Sequence, residues 1–327
     1  MKTAMRAVLQ DAPGSADTLF LGQVARPHPG PGQLLVRVKA AGVNRADIVQ
    51  REGRYPPPHG ASPLLGLEVA GEVTAVGAGV TAFPPGSAVF GLVAGGGYAE
   101  YAVLDEGCAI AKPDWLSFAE AASLPEAWMT AWLNLVELAA LGEGETVLIH
   151  AGASGVGAAA IQLARLRGAT AVVTVGSEEK ADFCRRLGAA HAINYRTGSF
   201  QDATRAIGGV DVILDCIGGT YLDANLNSLK PDGRLIVIGL MGGSGAELNL
   251  GKLLVKRLRV QGSTLRPQPL AVKARLTQSL RDTVLRALQT GHATLTMDRQ
   301  FPLSEVAAAH RWLEENRNQG KVVLEIE

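Results

Sequence analysis

From Glu145 onward the sequence alternates short apolar runs with helix-forming segments, and this pattern constrains the fold more than any other feature. The apolar runs occupy residues 146–150, 171–175, 189–195, 211–218, 233–239 and 258–264. Parallel strands need crossover helices between them and are buried on both faces. The alternation therefore predicts an α/β fold in which this part of the chain forms a Rossmann domain, a doubly wound parallel sheet.

The residues before this region follow a different pattern. Up to about Lys112, apolar runs with a period of two are separated by Gly and Pro, as in LLVRVKAAGV (34–43), LEVAGEVTAV (67–76), SAVFGLV (87–93) and YAEYAVL (98–104). This pattern is typical of antiparallel strands, and we expect a barrel-like sheet.

After residue 265 the sequence predicts a polar helix (270–290), an amphipathic helix (303–313) and a final strand (321–327). We expect these elements to return to the first domain. The predicted domains are then a catalytic domain of residues 1–124 and 267–327 and a dinucleotide-binding domain of residues 125–266.

Charge and cysteine content argue against several classes of protein. Lys+Arg and Asp+Glu both number 31, so no net field favours nucleic acid or an anionic membrane. The opening MKTAMRAVLQ lacks the apolar core of a secretory signal, and no apolar stretch could cross a bilayer, so we expect a cytoplasmic location. Cys108, Cys184 and Cys216 are scattered, which argues against a disulfide framework and a structural zinc site.

The strongest motif is HAGASGVG (150–157), which lies where a predicted strand ends and a helix begins. Its glycines permit a tight turn and a close approach to a pyrophosphate, which the helix N-terminus attracts. Ser154 replaces a glycine of the usual fingerprint but is small enough to keep that approach. The motif predicts dinucleotide binding.

The end of the second strand indicates which dinucleotide is bound. An acidic residue there would hold an unphosphorylated ribose, but AVVTV is followed by Gly176 and Ser177. Lys180 lies one helical step further and supplies the positive charge that a 2′-phosphate needs. The predicted cofactor is NADPH.

The sequence lacks other catalytic machinery. No His pairs with another His or a Cys at metal-ligand spacing, and no G-x-S-x-G nucleophile motif is present. Hydride addition to an activated alkene or quinone can proceed largely by orientation over a nicotinamide. We therefore expect reduction of such an acceptor without a metal.

Four segments carry a family resemblance, namely residues 40–58, 64–73, 150–164 and 320–327. Together they resemble the zeta-crystallin-like quinone oxidoreductases of the medium-chain dehydrogenase/reductase superfamily, over essentially the whole chain. The resemblance implies a GroES-like catalytic domain, NADPH:quinone oxidoreductase activity and a homodimer. Where zinc-bearing relatives have a Cys and a His as ligands, this chain has Asn44 and Leu67.

The resemblance also implies the site residues. Asn44 and Tyr55 would lie beside the nicotinamide, where they orient the acceptor and polarise its oxygen. The implied cofactor-binding residues are Thr130, Ser154, Gly155, Val156, Gly157, Gly176, Ser177, Lys180, Tyr195, Gly239, Leu240, Met241, Thr264, Leu265, Arg266 and Asn316.

Two alternatives remain open. The same scaffold could reduce enones, 2-alkenals or enoyl thioesters, because the loops that shape the substrate pocket cannot be sized from sequence. A nucleotide-binding crystallin-like or RNA-binding role is the second alternative, although the balanced charge argues against RNA. We expect the homodimer to form by edge pairing of residues 258–264.

Overall fold

The structure, a computed structural model, describes residues 4–327, and no helix in this range is long and apolar enough to cross a membrane. The strands are β1 (Ala4–Gln10), β2 (Leu19–Ala25), β3 (Gln33–Val43), β4 (Glu68–Val76), β5 (Ala88–Leu92), β6 (Tyr101–Asp105), β7 (Ala109–Ala111), β8 (Thr146–Ile149), β9 (Thr170–Val175), β10 (His191–Asn194), β11 (Val210–Asp215), β12 (Leu229–Val237), β13 (Arg259–Gly262), β14 (Met297–Pro302) and β15 (Lys321–Glu325). The helices are α1 (Arg45–Arg51), α2 (Phe118–Ala122), α3 (Pro125–Trp132), α4 (Gly155–Leu166), α5 (Glu178–Leu187), α6 (Phe200–Ala206), α7 (Leu222–Ser228), α8 (Leu250–Lys256), α9 (Leu270–Ser279), α10 (Leu285–Gln289) and α11 (Val306–Glu314).

Two compact units divide the chain. The first contains residues 4–129, Arg266–Arg286 and Leu295–Glu327, and the second contains Thr130–Leu265 and Ala287–Thr294. The last of these segments belongs to the second unit through α4, since Gln162 bonds both backbone groups of Thr294.

The first unit is built around a sheet of order β14-β15-β3-β4-β5-β7, in which β6 also pairs with β3. Most neighbours are antiparallel, and β15 pairs with β3 from the far end of the sequence. The alternating pattern places Val36, Val69 and Leu104 in a fully buried core, which α11 joins through Val306 and Ala309. Burying these alternate residues is what stabilises the sheet.

The second unit is a six-stranded parallel sheet of order β10-β9-β8-β11-β12-β13. The central strand β8 is buried on both faces, since Val147, Leu148 and Ile149 are fully inaccessible. Each crossover places the carboxyl ends of all strands at one edge, where ligands bind in such sheets. The predicted α/β fold class is confirmed, and the sheet of the second unit is the predicted Rossmann-type parallel sheet.

Candidate functional site

The turn between β8 and α4 forms the centre of the second unit's candidate site. Ser154 is the N-cap of α4, and its Oγ accepts a hydrogen bond of 3.0 Å from the Gly157 N–H. A Cβ on Gly157 would lie 2.5 Å from the carbonyl oxygens of Ala151 and Gly152, so only glycine fits there. First-turn N–H groups have no intrahelical partner, which leaves those of Gly155 and Val156 to bind an anion.

The end of β9 brings together four predicted residues. A Cβ on Gly176 would lie 2.7 Å from the Tyr195 hydroxyl, so these two residues pack directly against each other. Ser177 is the N-cap of α5 and accepts the Lys180 N–H at 3.3 Å. The Tyr195 ring is 44% exposed, which leaves a face for a ligand. This corner has the polar and cationic groups that bind a ribose phosphate.

The remaining predicted residues of the second unit lie on loops and on a helix. Gly239, Leu240 and Met241 follow β12, and the Met241 N–H donates to the Cys216 carbonyl. Both apolar side chains of this loop are about half exposed. Thr264 and Leu265 follow β13, whereas Thr130 lies in α3 and accepts the Asn134 amide through its carbonyl at 2.7 Å.

A buried network holds three strand ends in place. The His150 ring contacts Thr174 Oγ1 at 3.0 Å and Asn225 Oδ1 at 2.8 Å, and Asn225 donates to Asp215. Asp215 also accepts the N–H groups of the turn after β11. Burial lowers the pKa of His150 to about 4, so the ring is neutral at physiological pH. Because the network is neutral at His150 and fully bonded, it rigidifies the edge where a ligand would bind.

These residues fit a dinucleotide. The α4 N-terminus offers unpaired N–H groups, Gly157 lets the turn close, and the corner beside Gly176 offers Ser177 and Lys180. The turn before α4 could therefore hold a phosphate, and the corner beside Gly176 could hold a ribose phosphate, at the same carboxyl edge of the sheet.

In the first unit, Asn44 belongs to a buried ionic cluster. Its Nδ2 donates to Glu68 Oε1 at 2.9 Å, and its Oδ1 accepts Lys321 Nζ at 2.6 Å. Lys321 also bonds Glu68 Oε1 at 2.5 Å, with the two side chains 4% and 0% exposed. Asp47 accepts the Asn44 N–H at 2.8 Å, and burial raises the pKa of its carboxyl to about 6. Both polar ends of the Asn44 amide are thus already engaged.

The residues at the two zinc-ligand positions do not fit a metal. Leu67 is an apolar residue that is 2% exposed, and the amide oxygen of Asn44 already accepts a bond from the Lys321 ammonium. A fixed cation at this point opposes a second cation. Between residues 4 and 327 no cluster of three or more His, Cys, Asp or Glu side chains could hold an ion.

Tyr55 lies in the loop after α1, beside Arg266. The Arg266 guanidinium is 5.7 Å from the centre of the Tyr55 ring and bonds Ala94 O and Gln50 Oε1. Arg266 is 5% exposed, and its Nη2 is buried without a partner. The Tyr55 side chain is half-buried, and burial raises the pKa of its hydroxyl. Arg266 therefore belongs with the acceptor-side candidate Tyr55 in the first unit.

Asn316 stands apart from the other predicted residues of the first unit. It follows α11 with φ 51°, and its Oδ1 accepts a bond of 3.1 Å from Arg45 Nη2. The contact holds the end of α11 to α1, which is a structural role visible without a ligand.

Sequence reasoning missed several charged residues of the first unit. Glu68, Lys321 and Glu126 meet because β15 returns to β3 and because the Glu126 N–H donates to Glu68 Oε2 at 2.8 Å. Their separation along the chain gives no local motif. The one available signal was a lysine and a glutamate at positions inside apolar strand patterns, since such charges are buried only when paired.

Both halves of the chain match known protein families. Residues 30–114 match the family model described as alcohol dehydrogenase GroES-like domain, and residues 155–280 match the one described as zinc-binding dehydrogenase. Phthioceranic/hydroxyphthioceranic acid synthase of Mycobacterium tuberculosis is 36% identical over 321 residues, which are 96% of this chain and 15% of that protein. The chain thus spans about a seventh of this curated relative.

Solved structures match over the whole length. The quinone oxidoreductase of Pseudomonas syringae is 30% identical with a TM-score of 0.88, covering 98% of this chain and 100% of that chain. CurK enoyl reductase is 30% identical with a TM-score of 0.85, covering 100% of both chains. Mycobacterial Rv1454c, solved with NADPH, is 29% identical with a TM-score of 0.88, covering 98% and 100%. The chain therefore belongs to the medium-chain dehydrogenase/reductase superfamily and is an NAD(P)-dependent oxidoreductase.

Proposed function

We propose that this oxidoreductase uses NADPH to reduce conjugated carbonyl compounds without a metal, with quinones as one acceptor class and enones, 2-alkenals or enoyl thioesters as the other. The observation that carries the proposal is that Asn44 and Leu67 replace the zinc ligands while the cationic Lys321 holds the Asn44 amide. Without a Lewis acid, an acceptor must be activated by its own conjugation.

NADPH rather than NADH is supported by the corner after β9. Gly176, Ser177 and Lys180 stand where an acidic residue would favour an unphosphorylated ribose, and Tyr195 packs against Gly176. When bound, the reduced nicotinamide supplies the hydride. The structural neighbour Rv1454c was solved with NADPH, which supports the same cofactor here.

Tyr55 is the residue that we expect to contact the oxygen of the acceptor. Within the described part of the chain its hydroxyl has no hydrogen-bond partner, so it is free to donate to an acceptor oxygen. Asn44 becomes a positioning residue, because its amide connects Glu68 and Lys321. The zeta-crystallin-like branch is supported by the neighbouring quinone oxidoreductase, and the alkene-reducing alternative by the neighbouring enoyl reductase.

The test is a comparison of acceptors under one assay of NADPH oxidation. We expect kcat/KM of at least about 10⁴ M⁻¹s⁻¹ with a quinone or an enone, and a lower value when NADH replaces NADPH. Oxidation of simple alcohols with NADP⁺, together with no reduction of any conjugated carbonyl, would contradict the proposal.

We further propose that the protein forms a homodimer through the edge strand β13. The edge strand β13 pairs with β12 alone in the sheet, and Val260 on it is 41% exposed. Beside it in sequence, α8 exposes Leu250, Leu254 and Val255 by 68% to 79%. Two-fold pairing of β13 would cover an edge that otherwise favours aggregation. Sedimentation at micromolar concentration is expected to give a dimer, and a monomer would contradict it.

A further inference from the structure

Glu126 lies in the first turn of α3 and is tied to the neighbouring sheet through its backbone. Its N–H bonds Glu68, but its side chain makes no hydrogen bond or ion pair anywhere in residues 4–327. The residue is half-buried. A carboxyl group that is partly accessible and makes no contact of this kind is available to interact with a ligand.

The surroundings of Glu126 keep it protonated. Burial, followed by the negative charge of Glu68, raises the pKa of its carboxyl to about 8. The charged and titratable groups that face it come from several elements: Asp47 on α1, Glu68 on β4, Lys273 on α9 and Lys321 on β15. The two lysines lower the pKa, but they do not offset burial and the two carboxylates.

The same carboxyl lies beside the acceptor-side candidates. The Glu126 N–H donates to Glu68 Oε2 at 2.8 Å, and the Asn44 amide donates to Glu68 Oε1 at 2.9 Å, so two hydrogen bonds connect Glu126 to Asn44. Burial, followed by the nearby Glu126 carboxyl, raises the pKa of the Tyr55 hydroxyl. Arg266 in turn lies against the Tyr55 ring. An acid, a phenol and a cation thus share one region of the first unit, and the acid is the group with a transferable proton near neutral pH.

Resting on the proposed function, we propose that Glu126 is the acid that protonates the α-carbon of an enone or enoyl substrate, which makes alkene reduction the activity this site is built for. Hydride addition to the β-carbon breaks the C=C π bond and leaves an enolate. The Glu126 O–H bond then breaks, a C–H bond forms at the α-carbon, and the enolate returns to a carbonyl. Glu126 is left as a carboxylate that solvent water reprotonates.

A quinone needs this acid much less. After hydride addition its hydroquinone anion carries the charge on oxygen, which exchanges protons with water without help. Carbon protonation is slow and benefits from a positioned acid. The two acceptor classes therefore separate the role of Glu126 from a general effect on folding or cofactor binding.

The experiment compares Glu126→Gln with the wild type on an α-methyl enone and on a quinone. We expect kcat for the enone to fall by about 10²-fold or more, with little change for the quinone. In deuterium oxide the wild type should give one configuration at the α-carbon, whereas the variant should give a mixture, since solvent then delivers deuterium to either face. Glu126→Asp should restore part of the rate. Glu325→Gln, which removes an exposed carboxylate from β15, is the matched control and should change nothing.

Two measurements on the wild type keep the test independent of how the variant folds. Its kcat for the enone should fall as pH rises through about 8, because the donor form is lost as Glu126 ionises. Infrared spectroscopy of the cofactor-free protein should show a protonated carboxyl at neutral pH that titrates in the same range. A wild type that reduces enones with no alkaline loss of kcat, or a folded Glu126→Gln that keeps both rate and α-carbon configuration, would overturn the assignment. A wild type that reduces no conjugated carbonyl would instead refute the proposed function.

Discussion

The two units differ in the charged groups that they bury around their candidate sites. The second unit presents backbone N–H groups at the start of α4, keeps its buried histidine neutral and surrounds the buried Asp215 carboxyl with backbone N–H donors. The first unit buries full charges, with Lys321 and Glu68 almost completely inaccessible. We therefore expect the second unit to recognise a charged ligand mainly through backbone groups, whereas side-chain charges in the first unit set the protonation of their neighbours.

The largest expected effect is on the buried ion pair of the first unit. Lys321→Met leaves the Glu68 carboxylate buried without its partner, which should lower the free energy of unfolding by about 3–5 kcal/mol in urea denaturation. The matched control is Lys230→Met in the second unit, where the pair with Asp211 is partly exposed and should contribute only about 0–1 kcal/mol. Equal losses in the two variants would remove the contrast between the units.

The next effect concerns the acceptor side. Tyr55→Phe removes a hydroxyl that has no partner among residues 4–327, so the fold should be unchanged while kcat for an enone falls by about 10²-fold, the cost of one oxyanion donor. Quinones, which need less help at oxygen, should respond less. Tyr101→Phe on β6 is the control. If Tyr55→Phe matches the wild type and Tyr55→Ala only raises KM, the Tyr55 ring packs against the acceptor, and its hydroxyl does not donate a hydrogen bond to the acceptor oxygen.

A smaller effect is expected at the ribose corner of the second unit. Lys180→Ala should weaken NADPH binding by about 1.5–3 kcal/mol, one charge-assisted contact, and leave NADH binding nearly unchanged. Arg186→Ala removes one positive charge from the exposed side of the same helix and should alter neither affinity. Titration of both cofactors by fluorescence checks this, and equal losses of NADPH and NADH affinity would refute the phosphate assignment.

The smallest expected effect is that of metal removal. Because Asn44 and Leu67 occupy the ligand positions and Lys321 bonds the Asn44 amide, a chelator should leave NADPH oxidation unchanged. Metal analysis of the purified protein provides the check. Stoichiometric zinc that is lost together with activity would show that this region of the first unit holds a metal after all.

The contrast between the units also explains what could be predicted from the sequence. The parallel sheet and the turn from His150 to Gly157 follow from local patterns, because strand, turn and helix are adjacent in the chain. The cluster of Asn44, Glu68, Glu126 and Lys321 could not be predicted, because pairing of β15 with β3 and capping of α3 by Glu68 create it. Arg266 shows the same limit, since its contacts to Gln50 and Ala94 come from distant segments.

We propose above all that this protein moves a hydride from NADPH to a conjugated carbonyl compound. The most direct measurement is to supply NADPH deuterated at C4 of the nicotinamide and to locate deuterium in the reduced enone by mass spectrometry and NMR. We expect one deuterium at the β-carbon and, in ordinary water, a protium at the α-carbon. Products that carry no deuterium from either face of the labelled cofactor would contradict direct hydride transfer.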